Sequence, residues 1–202
     1  MTATPPCRPF RDASAGWSGG PPAGEEARRD GQLKVTASAG SDLYRMPGVR
    51  EIDAVPQLHR TMEGDFTLTV RTEVRCAVHG GEFADAGGVL VHTADGWAKF
   101  CVERAPDGRW TITTVVSRPD SDEAAGPVLD GPAAELTVVR DGRRMALLYR
   151  PRPSGERCFV RTCTVPDGPM TVALFAQAPF SPSCTAVFDG LHLAPEPLRD
   201  RR

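Results

Sequence analysis

The chain has 202 residues, of which 40% are hydrophobic, and a formal net charge of −2. That length suits one domain with or without a disordered extension, and the apolar fraction suffices for a sizeable core. A near-neutral chain with no basic cluster interleaved with aromatics excludes a nucleic-acid partner held through phosphates, and no run of eighteen apolar residues is present to span a membrane as a helix.

The basic residues are almost all arginine; the two lysines are Lys34 and Lys99. With 20 glycines and 19 prolines, this is the composition expected from a high-GC genome such as an actinobacterial one. Residues 1–24 lack the apolar core of a signal peptide, so a cytoplasmic protein is expected, monomer or homodimer. The six cysteines (Cys7, Cys76, Cys101, Cys158, Cys163, Cys184) are then expected as free thiols. None forms a CxxC pair, and His79 and His92, though close to Cys76 and Cys101, make no zinc-type spacing, so neither metal nor cofactor is assigned.

Residues 1–16 carry Pro5-Pro6 and Pro9 without periodicity and are expected to be a disordered extension. A single domain spans 17–193, and a proline- and arginine-rich tail, 194–202, is expected to be flexible. Trp17 enters the fold; the polar run from Glu25 to Asp30 reads as a loop. Strands are expected at Leu33–Ala37 and Asp65–Val74, where Phe66, Leu68, Val70 and Thr72 share one face. A hairpin, Glu135–Arg140 with Met145–Arg150, turns at Asp141-Gly142. Further strands follow at Cys158–Val165, Met170–Gln177 and Thr185–Leu193. No helical period persists, so ten or eleven short strands with regular turn signals predict an all-β sandwich or barrel.

The segment from Asp85 to Asp122 is the most informative. Asp95-Gly96 and Asp107-Gly108 divide it into a three-strand meander. On the middle strand Trp97, Lys99, Cys101 and Glu103 face one way and Ala98, Phe100 and Val102 the other. Pairing across the first turn puts Leu90 and His92 on the Trp97 face. A four-residue second loop would waste Ile112, Thr114 and Val116 on that polar face. A three- or five-residue loop, or a bulge, places Thr111, Thr113 and Ser117 there instead and is preferred.

These residues also carry a resemblance. Ser41-Asp42-Leu43-Tyr44-Arg45, Gly64-Asp65-Phe66, Asp85-Ala86-Gly87-Gly88, Trp97-Ala98-Lys99 leading to Glu103, and Thr114-Val115-Val116-Ser117 come in order. Ser121-Asp122, Ala176-Gln177-Ala178-Pro179 and Ala186-Val187-Phe188-Asp189 complete the set. The ordered set resembles the regulation-of-enolase-type family (domain-of-unknown-function family 1349) from about Trp17 to Leu193. Two positions depart from it: Leu43 stands where a bulky aromatic is common, and Glu123 where the family often has Trp. The resemblance implies a concanavalin A-like jelly-roll sandwich of two curved antiparallel sheets, the concave one forming a groove. It implies no settled activity.

Groove candidates are His92, Trp97, Lys99, Cys101, Glu103 and Ser117, with Asp85 and Asp122 at strand ends; Arg71, Glu73, Arg140 and Gln177 could join from across the sheet. A Trp beside charged and amide groups suits a saccharide, the ring stacking on a pyranose and the polar groups taking its hydroxyls. Glucanases of this fold set their acids at Glu-x-Asp-x-x-Glu; here only Glu103 remains, with Cys101 and Lys99 in the partner places, which leaves Glu103 with Asp122 or Glu73 for such a mechanism. Alternatively Glu103 acts as general acid/base, Lys99 steadies a developing oxyanion and His92 shuttles protons. Three readings stay open: a lectin-like domain binding a saccharide or small metabolite, a small cytosolic enzyme (isomerase, cyclase, lyase or hydrolase) of specialised metabolism, or a protein-interaction module.

Overall fold

The computed structural model describes residues 17–20, 25–29, 32–78 and 81–199. The expected extension 1–16, His79 and residues 200–202 lie outside the described residues. In chain order the strands are β1 (Ser18–Gly20), β2 (Glu25–Arg29), β3 (Gln32–Ser38), β4 (Asp42–Met46), β5 (Arg50–Ala54), β6 (Gln57–Met62), β7 (Phe66–Cys76) and β8 (Ala86–Thr93). Next come β9 (Gly96–Arg104), β10 (Trp110–Ser117), β11 (Ser121–Leu129), β12 (Ala133–Asp141), β13 (Arg144–Arg150), β14 (Cys158–Thr164), β15 (Met170–Gln177) and β16 (Ser183–Ala194).

Two seven-stranded antiparallel sheets stack as a sandwich. The first runs β1-β6-β15-β8-β9-β10-β11 and the second β14-β13-β12-β7-β16-β3-β2; β4 and β5 form a separate hairpin. Between the sheets lies the main core, where Val89, Val91, Phe100, Val102 and Ile112 of the first sheet meet Phe66, Leu68, Val70, Leu136 and Phe188 of the second. Each large side chain fully buried there contributes roughly 1.5–3 kcal/mol. At Gly87 the two sheets approach closely: a Cβ on it would lie 2.4 Å from the Ala186 Cβ.

The first sheet is buried on its other face too. Leu43 and Val55, both at the open end of the hairpin, pack on Ala86, Leu90, Cys101, Ala173 and Phe175, with Trp97 at the margin. Burial on both sides explains why β8 and β15 read as continuous apolar runs rather than alternating ones. The expected meander forms, and the second loop has five residues (105–109), closed by Ala105 N–H donating to the Arg109 carbonyl at 2.8 Å. Thr111, Thr113 and Ser117 therefore pair with Glu103, Cys101 and Trp97 and share their face.

The strand count exceeds expectation in the β4–β5 hairpin, at β6 between β1 and β15, and at the edges. Glu25–Arg29, expected as a loop, pairs with β3 as an edge strand, and β11 pairs with β10 alone and is mostly exposed. Edge strands need only backbone pairing on one side, so neither leaves an apolar alternation to read. The tail, expected to fray from Ala194, is held as far as Leu198. That side chain packs on Val139, Ala146 and Leu148, its N–H donates to Thr67 Oγ1, and the Thr67 hydroxyl donates to the Glu196 carbonyl.

Candidate functional site

The β4–β5 hairpin is a strap laid over the concave face. At its root Gly40 N–H donates to the Ala178 carbonyl and Ala178 N–H to the Ser41 carbonyl. At its far side Arg45 N–H donates to Ser121 Oγ at 2.9 Å. In the middle, the Lys99 ammonium rises from β9 and meets three acceptors: Gln177 Oε1 at 2.9 Å, the Leu43 carbonyl at 3.1 Å and Asp42 Oδ1 at 3.5 Å. Lys99 is only 2% exposed. A buried ammonium with each of its three donors directed at an acceptor is a fastening.

Asp42 passes the connection outward. Its Oδ2 accepts from Arg50 Nε at 3.1 Å, and the Arg50 guanidinium lies over the Phe180 ring at 4.9 Å. Phe180 stacks on Phe83 with centroids 5.7 Å apart. Both rings are substantially exposed, 55% and 46%, which makes them an apolar ledge at the mouth of a pocket.

That pocket, about 170 Å³, opens between strap and sheet, with Tyr44, Glu103 and Glu123 on its walls beside Lys99 and Asp42. Glu103 is 5% exposed. Burial pushes its carboxyl up to about 7; Lys99 pulls the other way, and Glu123 adds to the rise. The Tyr44 hydroxyl is raised by burial and then by Glu123, to which it hydrogen-bonds. A neutral and an ionised Glu103 thus coexist near neutrality, next to a second carboxylate. Such a group can donate or accept a proton.

The expected residues are distributed as follows. Lys99, Glu103 and Gln177 come together; the Gln177 amide also donates to the Ala84 carbonyl at 2.8 Å. Trp97 and Ser117 lie on the same face beyond the strap, lining a separate pocket of about 370 Å³ with Tyr44, Asp53 and Asp95. The Ser117 hydroxyl donates to the Pro119 carbonyl. His92 pairs with Trp97, whereas Ala86 pairs with Glu103, six residues away along β8. That separates His92 from Glu103 by about 20 Å, so the expected shuttle does not form. His92 instead bonds Gln57 at 3.0 Å, and burial lowers its pKa. Cys101 is wholly buried and its thiol is pushed up by that burial, which suits packing rather than nucleophilic attack.

Five candidates fall elsewhere. Arg71 and Glu73 are on β7 in the second sheet, Glu73 paired with Arg75 at 2.8 Å. Arg140 is on β12, its Nε donating to the Gly142 carbonyl. Asp122 points away from the pocket and pairs with Arg161 of β14 at 3.1 Å, linking the sheet edges. Asp85 is turned between the sheets, toward Cys76 and Cys184. For Arg71, Glu73 and Arg140 the missing information was which sheet their strands join, which side-chain parity does not give. Asp122 is in the same sheet as Lys99 but opposite Val116, on the other face, and Asp85 precedes β8. The second carboxylate is Glu123, opposite Val115 on β11 and hence on the Lys99 face. Its sequence signal was its standing where Trp is common. Phe83 and Phe180 sit in loops and left no signal.

The profile of the family described as "Protein of unknown function (DUF1349)" matches residues 17–196. The chain belongs to that family. A functionally unknown protein from Saccharomyces cerevisiae is similar in structure, with a TM-score of 0.80 at 17% identity over 91% of this chain and 98% of that one. A xylan β-1,4-xylosidase from Bacillus halodurans C-125 is similar over 82% of this chain but 33% of its own, with 12% identity and a TM-score of 0.61. A legume lectin-like domain from Entamoeba histolytica matches with a TM-score of 0.56 at 9% identity over 91% and 92% of the two chains. No protein of curated function matches the sequence. The fold is the concanavalin A-like jelly-roll sandwich.

Proposed function

We propose that the chain binds a saccharide, or a similarly hydroxylated small molecule, at the pocket under the strap. One ring fits the pocket, which is smaller than the ~300–1,000 Å³ typical of drug-sized ligands; the remainder lies against the Phe83–Phe180 ledge. The observation that carries this is the pairing of an exposed aromatic stack with the carboxylates of Glu103 and Glu123. Aromatic faces take the apolar side of a sugar ring and carboxylates take its hydroxyls. The lectin-like and xylosidase relatives share the fold and lend the reading support at that level only. Five free cysteines among the described residues fit the reducing cytoplasm proposed for it.

A second reading has one specific observation in its favour. Glu103 is buried, faces the pocket and has its pKa raised to about 7, which is the tuning a general acid/base requires. In that reading the bound molecule is turned over by proton transfer at Glu103 beside Glu123.

Native mass spectrometry against a panel of mono- and disaccharides and a host-cell metabolite extract tests both, and reads the oligomeric state. Wild type is run beside Phe180→Ala and Glu103→Gln. Retention of an unchanged component, lost with Phe180→Ala, supports binding. Conversion by wild type with the precursor retained by Glu103→Gln supports turnover. No bound species with any of the three proteins defeats both.

A further inference from the structure

Behind the pocket, on the core side of the sheet, three side chains converge that neither reading uses. Cys76 ends β7 and stands opposite Cys184 of β16; Asp85 precedes β8 in the other sheet. One ligand atom from each, two sulfurs and a carboxylate oxygen, lie within 4.8 Å of one another. Asp85 is completely buried. Its Oδ2 accepts from Ser181 Oγ at 2.5 Å and from Glu82 N–H at 3.1 Å, while Oδ1 has no hydrogen-bond partner. A buried carboxylate oxygen left bare is costly. Next to it are two sulfurs in contact with each other, and the Cys184 thiol also reaches the Ala86 carbonyl at 3.9 Å.

We infer that Cys76, Cys184 and Asp85 bind a thiophilic divalent metal ion of the zinc class. Two thiolates with a carboxylate are a donor set for zinc and a poor one for calcium or magnesium. Tetrahedral donors at zinc bond lengths stand about 3.5–3.8 Å apart, so the side chains need close by no more than about 1 Å. Gly81 wraps the cluster: a Cβ there would be 2.6 Å from Cys76 Sγ and 3.5 Å from Asp85 Oδ2. Cys76 is half-buried and borders a cavity of about 360 Å³, which gives the ion a route in. Binding exchanges the two thiol protons for the ion, M²⁺ + 2 RSH giving M(SR)₂ + 2 H⁺. The ion joins β7 and β16 of one sheet to the start of β8 in the other, and holds the turn carrying Phe83.

The test uses full-length protein, reduced and stripped with a chelator. Titration with Co²⁺ is expected to give a thiolate-to-cobalt charge-transfer band saturating at about one equivalent, displaced by Zn²⁺ with release of about two protons per ion. Zn²⁺, and not Mg²⁺, raises the melting temperature of the wild type. Cys184→Ser abolishes the band, and Asp85→Asn keeps it with affinity lowered about tenfold or more. Absence of the band from folded wild type overturns the assignment, as does an unchanged band in Cys184→Ser. Recovery of a Cys76–Cys184 disulfide in thiol-trapped protein overturns it too.

Discussion

Lys99 and Asp42 meet at 3.5 Å with both side chains nearly buried, and this pair fixes the strap to the middle of the concave sheet. Lys99→Met keeps the volume but leaves Asp42 with Arg50 as its charged partner and the Leu43 N–H on Oδ1. Breaking a buried pair by removing one partner costs roughly 3–5 kcal/mol, and the partly exposed Arg50 places this case near the lower end. Urea denaturation is expected to show that loss, with hydrogen exchange accelerating at residues 43–46 ahead of the core. Asp42→Asn combined with Lys99→Met should recover part of it. Losses that simply add would show the two residues to be uncoupled.

Glu103 makes stability depend on pH in a direction opposite to most carboxylates. Its pKa rises from 4.5 to about 7 on folding, so the folded state favours the protonated form. Its stabilising contribution is complete below about pH 4.5 and is lost as the pH climbs through 7. The swing is about 3 kcal/mol. Glu103→Gln removes it: wild type and variant converge at pH 5 and separate by pH 8, the variant being the more stable. Lys99→Met should move the wild-type transition to higher pH, because Lys99 lowers the Glu103 pKa more than the Thr113 hydrogen bond does. Parallel pH profiles for wild type and Glu103→Gln would refute the assignment.

Gly87 and Ala186 sit in two of the short sequence pieces that carry the family resemblance, and they meet across the two sheets. Gly87→Ala brings two methyl groups together at 2.4 Å, an overpacking expected to cost about 1–3 kcal/mol. Ala186→Gly in the same chain should relieve it. Thermal denaturation of both single variants and the double variant measures the relief; a double variant no better than Gly87→Ala would place the clash elsewhere.

The same pieces show what was legible. Alternation in β9 gave the Trp97–Lys99–Cys101–Glu103 face directly, because a strand core-packed on one side sorts its side chains by parity. Loop length then fixed Thr111, Thr113 and Ser117. The strap was not legible as strands: one side of it rests on a sheet and the other faces water over only five residues per strand, so its pattern is too short to sort. Arg71, Glu73 and Arg140 were misplaced for a different reason. Their strands are regular, but which sheet a strand joins depends on pairings more than fifty residues away, such as β7 with β12 and β16. Glu123 was visible only as a departure from a pattern.

The ledge provides the sharpest test of ligand binding, because it separates recognition from stability. Phe83 and Phe180 are half exposed, so truncating either sacrifices little core burial. Phe180→Ala should leave the urea midpoint within the narrow range of ordinary surface substitutions, about 0.5 kcal/mol. It should weaken a bound sugar by roughly threefold to tenfold, the equivalent of ~0.5–1.5 kcal/mol of aromatic contact. Arg50 must be considered in the comparison, since it covers the Phe180 ring and also pairs with Asp42. Phe83→Ala avoids that complication and should weaken binding alone. Calorimetric titration with a ligand recovered from the saccharide panel measures both variants. Equal affinities for wild type, Phe83→Ala and Phe180→Ala would move the binding surface away from the ledge, to the Trp97 pocket on the other side of the strap.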